Sequence, residues 1–157
     1  NYGDTIKECK CTTTEIRRYV NKISEPLLDR IDIHINVRRA EYEKINSKLK
    51  SESSAKIKER VNIAKNIQRN RYKKYCISSN SELSPELIEK FCNIDEKGER
   101  LLKSAFVKLK LSARAYQTVL KIARTIADLE MKENIEYTHI AEAIQYRSLD
   151  GKFNNRI

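Results

Sequence analysis

Two short motifs in this chain each carry an arginine that could contact phosphate. The first, P-L-L-D-R at 26–30, ends in Arg30 and runs into the alternating segment I-D-I-H-I-N-V at 31–37. The second, L-S-A-R-A-Y at 111–116, carries Arg114 and opens a strongly periodic stretch. A guanidinium stays charged at any working pH, and its planar fork matches phosphate oxygens. Because nucleotide hydrolysis needs such contacts at the γ-phosphate, the two motifs indicate part of a nucleotide-driven machine.

Arg114 lies at the start of a predicted helix, where the helix dipole favours an anion, and this predicts a phosphate contact. Two structural alternatives remain open at this point. The side chain could cover apolar surface with its stem, or it could pair within a helical bundle with an acid such as Asp95 or Glu99. Arg30 has a similar alternative, an ion pair with one of the aspartates at 29 and 32.

The rest of a nucleotide-hydrolysing site is missing from the sequence. The three glycines, Gly3, Gly98 and Gly151, lie far apart, and none begins the glycine-rich loop that cradles phosphates. The two histidines, His34 and His139, are also distant, and no H-E-x-x-H motif is present. We therefore expect this chain alone to bind no nucleotide tightly and to hydrolyse no ATP.

Apolar spacing and capping residues predict a mainly α fold with a single strand. T-T-T-E at 12–15 fits a capping box and predicts a helix to about Ile23. The alternation at 31–37 predicts a strand with one buried face. Composition becomes polar afterwards, and this places a domain boundary near residue 46. Beyond it the sequence predicts a bundle of helices, with caps at Ser84, Asp95, Ser112 and Thr138.

The periodic positions of these helices predict their buried faces. The long helix around 57–75 would bury a face at Ile57, Val61, Ala64, Ile67 or Gln68, Arg71 and Tyr75. The two longest helices that follow would turn inward Leu101, Leu102, Ala105 and Phe106, and then Ala115, Val119, Ile122, Ile126 and Leu129. The latter set repeats at alternating steps of four and three, as in a packed bundle helix.

Charge and composition narrow the class of protein. The 157 residues carry a formal net charge of +10, and the segment 54–75 holds eight basic residues and one acid. Such a helix is either an electrostatic footprint for nucleic acid or a solvated face; no interleaved aromatic residues support base stacking. No apolar run approaches the roughly 18 residues that span a bilayer, so we expect a soluble, cytoplasmic protein with no membrane partner.

Five ordered blocks of the sequence resemble one family of ATPases. They are K-C-T-T-T-E-I-R-R-Y, I-S-E-P-L-L-D-R-I-D-I-H-I, S-S-A-K-I-K-E-R-V, L-S-A-R-A-Y-x-x-V-L-K-I-A-R-T-I-A-D-L-E and H-I-A-E-A-I-Q-Y-R-S-L-D. Together they are similar to the C-terminal part of magnesium-chelatase-like AAA+ ATPases, and most similar to the ComM type, also called magnesium chelatase-related proteins. The chain departs from the family pattern at Thr13, Glu25 and Lys110, where the family usually has proline, glycine and glycine.

The resemblance implies a hexameric ATPase that uses ATP and Mg²⁺, with its P-loop upstream of this sequence. Residues 1–45 would be the C-terminal remnant of the α/β ATPase core, and 46–157 the helical lid. Arg30 would be the arginine finger that acts on ATP in a neighbouring subunit. Arg114 would be the sensor-2 arginine, which contacts the γ-phosphate. No cofactor is expected on this portion alone.

Two questions stay open after the resemblance. The family acts either on DNA, as in branch migration, or in metal insertion, and a basic helical module that binds nucleic acid without ATP is a further alternative. Cys9 and Cys11 form half of a four-cysteine zinc site only if the family's upstream cysteine pair completes it. The other two cysteines, Cys76 and Cys92, are expected to be ordinary semi-buried thiols.

Overall fold

The computed structural model describes residues 8–35, 37 and 51–147, and within them the fold is mainly α, as predicted. The elements, in chain order, are α1 (Thr13–Val20), α2 (Glu25–Asp29), α3 (Ser54–Tyr72), a 3-10 helix (Asn80–Glu82), α4 (Pro85–Phe91), α5 (Glu96–Leu109), α6 (Ala113–Leu129) and α7 (Tyr137–Gln145). An isolated parallel bridge joins Ile94 to Ile135. Among the described residues no helix is long and apolar enough to cross a membrane.

Helix starts follow the capping chemistry that the sequence predicted. Thr12 and Glu15 form a reciprocal capping box, with Thr12 N–H donating to Glu15 Oε2 at 2.8 Å. Asp95 Oδ1 accepts the Gly98 N–H at 2.7 Å, and the Ser84 and Ser112 side chains cap α4 and α6. Each bond satisfies a backbone N–H that has no partner within its helix, and this fixes where the helix begins.

The prediction that Thr138 caps the last helix is wrong. Helix α7 begins at Tyr137, one residue before Thr138, and Glu136 takes the capping position. The Glu136 N–H donates to Nδ1 of the buried His139 at 2.8 Å. An imidazole nitrogen one turn into the helix therefore accepts the backbone N–H of the capping residue itself.

Helix α6 lies at the centre of the bundle and contacts α3, α4, α7 and the 3-10 helix, while α5 packs on α7. Its predicted seam is confirmed at Ala115, Val119 and Ile126, which are buried. The prediction for α5 holds for Leu102 and Ala105, but Phe106 is 40% exposed. Phe106 instead meets Tyr116 edge to face, with ring centroids 6.1 Å apart, on the wall of an open groove between α4, α5 and α6.

Helix α3 is buried along only part of its length. Ala64, Gln68 and Tyr72 face the core, whereas every residue of 54–63 is exposed, including Ile57 and Val61. The predicted apolar face is thus wrong for the first half of this helix, since periodicity alone does not tell whether another helix covers a face. The chain following α3 carries Cys76, which is exposed rather than semi-buried, while Cys92 is buried and its burial raises the pKa of the thiol to about 11.

Lys110, the residue directly after α5, has a backbone conformation that accounts for the glycine usual in the family at this position. Its backbone is left-handed, with φ 51° and ψ 46°, and its N–H donates to the Phe106 carbonyl. Glycine adopts this conformation without steric cost, which is why a glycine is favoured immediately after a helix. The family's usual glycine therefore fits this backbone better than the lysine present here.

The strand predicted at 31–37 stays a prediction. Among its described residues none is paired with another strand, and the apolar side chains at 31, 33, 35 and 37 are exposed. A strand needs a neighbour to satisfy its backbone, and the resemblance places the neighbours upstream. The domain boundary predicted near residue 46 lies outside the described residues.

Candidate functional site

Arg30 ends the five-residue helix α2 as its C-cap residue. Pro26 lies in the first turn of this short helix. The Arg30 N–H donates to the Leu27 carbonyl at 3.1 Å, which fixes the backbone, while the side chain is exposed. No acid of the described chain forms an ion pair with it, so the alternative of pairing with one of the neighbouring aspartates is not what the structure shows.

Arg114 is the second residue of α6, and its side chain is exposed. The first turn of this helix contains no acidic residue, so the guanidinium adds positive charge to the positive end of the helix dipole. Within the part of the chain that the structure describes, Arg114 has no ion pair with Asp95, Glu99 or any other acid. The guanidinium is therefore available to an anion from outside the bundle.

The two arginine motifs meet through a direct hydrogen bond. The Ser112 hydroxyl donates to Asp29 Oδ1 at 2.7 Å, and the Ser112 Oγ also accepts the Ala115 N–H at 3.0 Å. Ser112 thus caps the helix that carries Arg114 and at the same time holds the residue beside Arg30. A hydroxyl has one proton to give and two lone pairs, so it can make both bonds at once.

A buried arginine strengthens this junction from the other side. Arg147 is fully buried; its Nη1 donates to the Ile31 carbonyl, and its Nη2 lies 3.5 Å from Asp29 Oδ1. One residue earlier, the Tyr146 carbonyl accepts the His34 backbone N–H at 2.9 Å. The segment on both sides of Arg30 is therefore fastened to the C-terminal end of α7.

The cysteine pair supplies two adjacent thiols. A hydrogen bond from the Cys11 backbone lowers the pKa of Cys9, and the neighbouring Cys9 thiol raises the pKa of Cys11. A zinc ion takes four ligands, and the residues that the structure describes bring together no group of three or more metal-binding side chains. Cys9 and Cys11 fit half of such a site, and the zinc site stays a prediction.

Sequence reasoning missed the residues that connect the two arginines. The sequence suggests Asp29 only as a partner for Arg30, Ser112 only as a helix cap, and Arg147 only as one residue of a family block. Their hydrogen bonds join positions 83 to 118 residues apart, so no local pattern could reveal them. The available signal was that all three belong to blocks shared with the family.

Comparison with known families shows to which family the chain belongs. A family model described as magnesium chelatase, subunit ChlI C-terminal, matches residues 51–147, and a second, magnesium chelatase, subunit ChlI, matches residues 1–45. The chain belongs to this magnesium chelatase ChlI family.

Several bacterial proteins are similar to nearly the whole chain. The protein YifB of Salmonella typhimurium is 38% identical over 142 residues, which are 90% of this chain and 27% of that protein. The competence protein ComM of Haemophilus influenzae is 38% identical over 136 residues, which are 86% of this chain and 26% of that protein. The chain thus spans about a quarter of the length of these relatives. Both confirm the resemblance to ComM-type, magnesium chelatase-related proteins.

Proposed function

We propose that this chain is the arginine-finger and sensor-2 portion of a hexameric magnesium-chelatase-like AAA+ ATPase that acts on DNA. The observation that carries the proposal is the junction of Asp29 and Ser112. It joins the two motifs by a direct hydrogen bond, and both arginines are exposed without an acidic partner in the described chain. An exposed guanidinium held on a fixed backbone suits transient contact with a phosphate.

ATP with Mg²⁺ would supply the γ-phosphoryl group that is transferred to water. Arg114 would contact this group from the lid of the subunit that binds the nucleotide, at a helix end whose dipole already favours anions. Arg30 would approach the same group from the neighbouring subunit. Charge builds up on the phosphoryl oxygens as the bond to the leaving group breaks, and a guanidinium beside them stabilises it.

The role of Arg114 predicts selective loss of triphosphate binding. In the full-length protein, Arg114→Ala should weaken ATP binding by about tenfold to a hundredfold, the value of one charge-assisted hydrogen bond, and should leave ADP binding nearly unchanged. Isothermal titration with ADP and a non-hydrolysable ATP analogue measures both affinities. Arg100→Ala is the matched control, because Arg100 is also exposed on a bundle helix but pairs with Glu96.

Thermal melting of the nucleotide-free protein separates this role from a structural one. Arg114 has no partner in the described bundle, so Arg114→Ala should leave the melting temperature unchanged. A fall of several degrees, or equal losses of ATP and ADP binding, would show that Arg114 supports the bundle and would remove the sensor role.

The DNA part of the proposal depends on helix α3. Lys58, Lys65 and Arg69 fall on one face of the helix at its 3.6-residue period and span about 16 Å. All three are exposed, and in the described chain none has an acidic partner, unlike Arg60, which pairs with Glu52, and Arg71, which pairs with Asp128. This basic stripe favours a phosphate backbone as its partner.

Neutralising the basic stripe should therefore weaken duplex binding. The triple variant Lys58→Gln, Lys65→Gln, Arg69→Gln should lower the slope of log affinity against log salt by up to about 0.9 for each phosphate that the variant no longer neutralises. Fluorescence anisotropy with a labelled duplex at several salt concentrations measures the slope. A variant with glutamine at the exposed Lys97, Lys103 and Lys108 of α5 removes the same charge and should keep the slope. Equal reductions in both variants would mean that only net charge attracts DNA, and the stripe would not be an interface.

A further inference from the structure

The Asp29 carboxylate holds together three parts of the structure. Its Oδ1 accepts the Ser112 hydroxyl at 2.7 Å and lies 3.5 Å from Arg147 Nη2. Asp29 itself is the last residue of α2, Ser112 caps α6, and Arg147 follows α7. The carboxylate is about one-third exposed and Arg147 is fully buried, so water reaches this ion pair from one side only.

The backbone of Arg30 is held immediately before and immediately after the residue. Before it, the Asp29 side chain is bonded to Ser112 and Arg147; after it, the Ile31 carbonyl accepts a second hydrogen bond from Arg147. A shift of Arg30 relative to the bundle would break these charge-assisted bonds, which are stronger than neutral ones. These bonds therefore hold the backbone on both sides of Arg30, while the Arg30 side chain itself is exposed.

The same carboxylate is bonded to the residue that caps the helix of Arg114. Ser112 Oγ directs its single proton at Asp29 and a lone pair at the Ala115 N–H, so one hydroxyl is bonded both to Asp29 and to the first turn of α6. An anion that binds Arg114 and moves the start of α6 must move Ser112 with it. Through Asp29, that movement reaches the residue next to Arg30.

We propose that Asp29 is a positioning residue that couples Arg114, and thus the nucleotide of its own subunit, to Arg30, which serves the neighbouring subunit. This inference rests on the proposed function of the two arginines. It predicts that hydrolysis in one subunit depends on the Asp29–Ser112 bond of the next, although Asp29 itself contacts no nucleotide.

The test uses the full-length protein and separates turnover from binding. Asp29→Ala should lower kcat for ATP at least about tenfold, the value of one charge-assisted hydrogen bond, with the Kd for ATP changed less than twofold. Asp29→Asn keeps an oxygen that can accept the Ser112 hydroxyl, so its kcat should lie between those of the unsubstituted protein and Asp29→Ala. Asp32→Ala is the control, since Asp32 lies in the same segment and, among the described residues, has only a 3.5 Å hydrogen bond from Thr118. This variant should keep kcat within twofold.

A second variant changes Ser112, the hydrogen-bond partner of Asp29. Ser112→Asp keeps a good helix cap but puts a carboxylate opposite Asp29, so it should reproduce the loss of kcat without loss of ATP binding. The effects of Asp29→Ala and Ser112→Ala on kcat should be strongly non-additive, because both remove one bond. If Asp29→Ala does not fold, Asp29→Asn and Ser112→Asp still provide the test.

The outcomes distinguish the coupling from the proposed function. If Arg30→Ala abolishes turnover but Asp29→Ala and Ser112→Asp keep kcat, the coupling is wrong and the proposed function stands. If kcat and ATP binding fall together in the junction variants, Asp29 has a structural role only. If Arg30→Ala itself hydrolyses ATP normally, the proposed function fails, and the coupling fails with it.

Discussion

Arg30→Ala should reduce ATP hydrolysis by the full-length protein about 10³–10⁵-fold, the rate contribution of arginine fingers in other nucleotide hydrolases. The side chain is exposed at the end of α2, and no acid of the described chain neutralises it. Its loss should therefore not disturb the fold, and nucleotide binding should persist, because under the proposed function Arg30 would contact a nucleotide that the neighbouring subunit holds. Steady-state turnover and ATP affinity, measured on the same preparation, check both statements.

Arg18→Ala is the matched control for this substitution. Arg18 is an exposed arginine on α1, in the same N-terminal segment, and has no ion pair in the part of the chain that the structure describes. It should keep normal turnover. Normal turnover by Arg30→Ala, or an equal loss in both variants, would show that the assignment of the finger to Arg30 is wrong.

Asp128→Ala should produce the largest loss of stability in the bundle, about 3–5 kcal/mol of the free energy of unfolding. Asp128 is fully buried on α6 and accepts hydrogen bonds from Arg71, Arg124 and the Asn80 amide, the last at 2.9 Å. Two guanidiniums thus share a single carboxylate. Removing it leaves two positive charges without their counter-ion, one of them on the almost fully buried Arg124.

The surrounding bonds make this carboxylate the centre of a network. Burial raises the pKa of Tyr72, so its phenol stays protonated and donates to Asn80 Oδ1 at 2.6 Å. Asn80 in turn donates to Asp128, and Arg124 donates to the Glu133 and Lys132 carbonyls at 2.7 Å each. The network connects α3, the 3-10 helix and the loop after α6.

Urea denaturation monitored by circular dichroism measures the effect. The midpoint should fall for Asp128→Ala while the slope of the transition stays constant, which identifies a loss of stability without a change in the surface exposed on unfolding. Glu89→Ala removes an exposed acid that has no ion pair in the described bundle and should change the midpoint little. A loss of stability below about 1 kcal/mol for Asp128→Ala is the size expected for an exposed ion pair, and it would contradict the buried network.

Local chemistry allowed the helices to be predicted from the sequence. The capping box at Thr12 and the caps at Ser84, Asp95 and Ser112 form as expected, since a cap depends on residues only three positions away. The seam of α6 is likewise set by the helical period. The caps, and the fact that the seam residues share one face, need no knowledge of what packs against the helix.

The failed predictions of buried faces depend on tertiary packing. Ile57 and Val61 have the spacing of a buried face, but the first half of α3 has no described neighbour to cover it. Phe106 was expected inside and instead lines a groove with Tyr116. Periodicity indicates which residues share a face, and the arrangement of the other helices decides whether that face is buried.

The candidate site likewise combines residues that the sequence predicts with contacts that only the structure shows. Arg30 and Arg114 were found from residue type, from position at the edge of an element, and from the family resemblance. The hydrogen bond between Asp29 and Ser112, and the burial of Arg147 against Ile31, join residues distant in the chain and came only from the structure. The roles of the two arginines in hydrolysis stay predictions.

The most direct test of Arg30 as a finger between subunits mixes two inactive forms of the full-length protein. One form carries Arg30→Ala; the other has a disabled P-loop and an intact Arg30. Each should be inactive alone, whereas mixed assemblies should regain ATP hydrolysis, because the intact Arg30 of one subunit serves the intact nucleotide site of its neighbour. Recovery that depends on the mixing ratio is the result we predict. Mixed assemblies that form but stay inactive at every ratio would contradict the assignment of Arg30 as a finger acting between subunits.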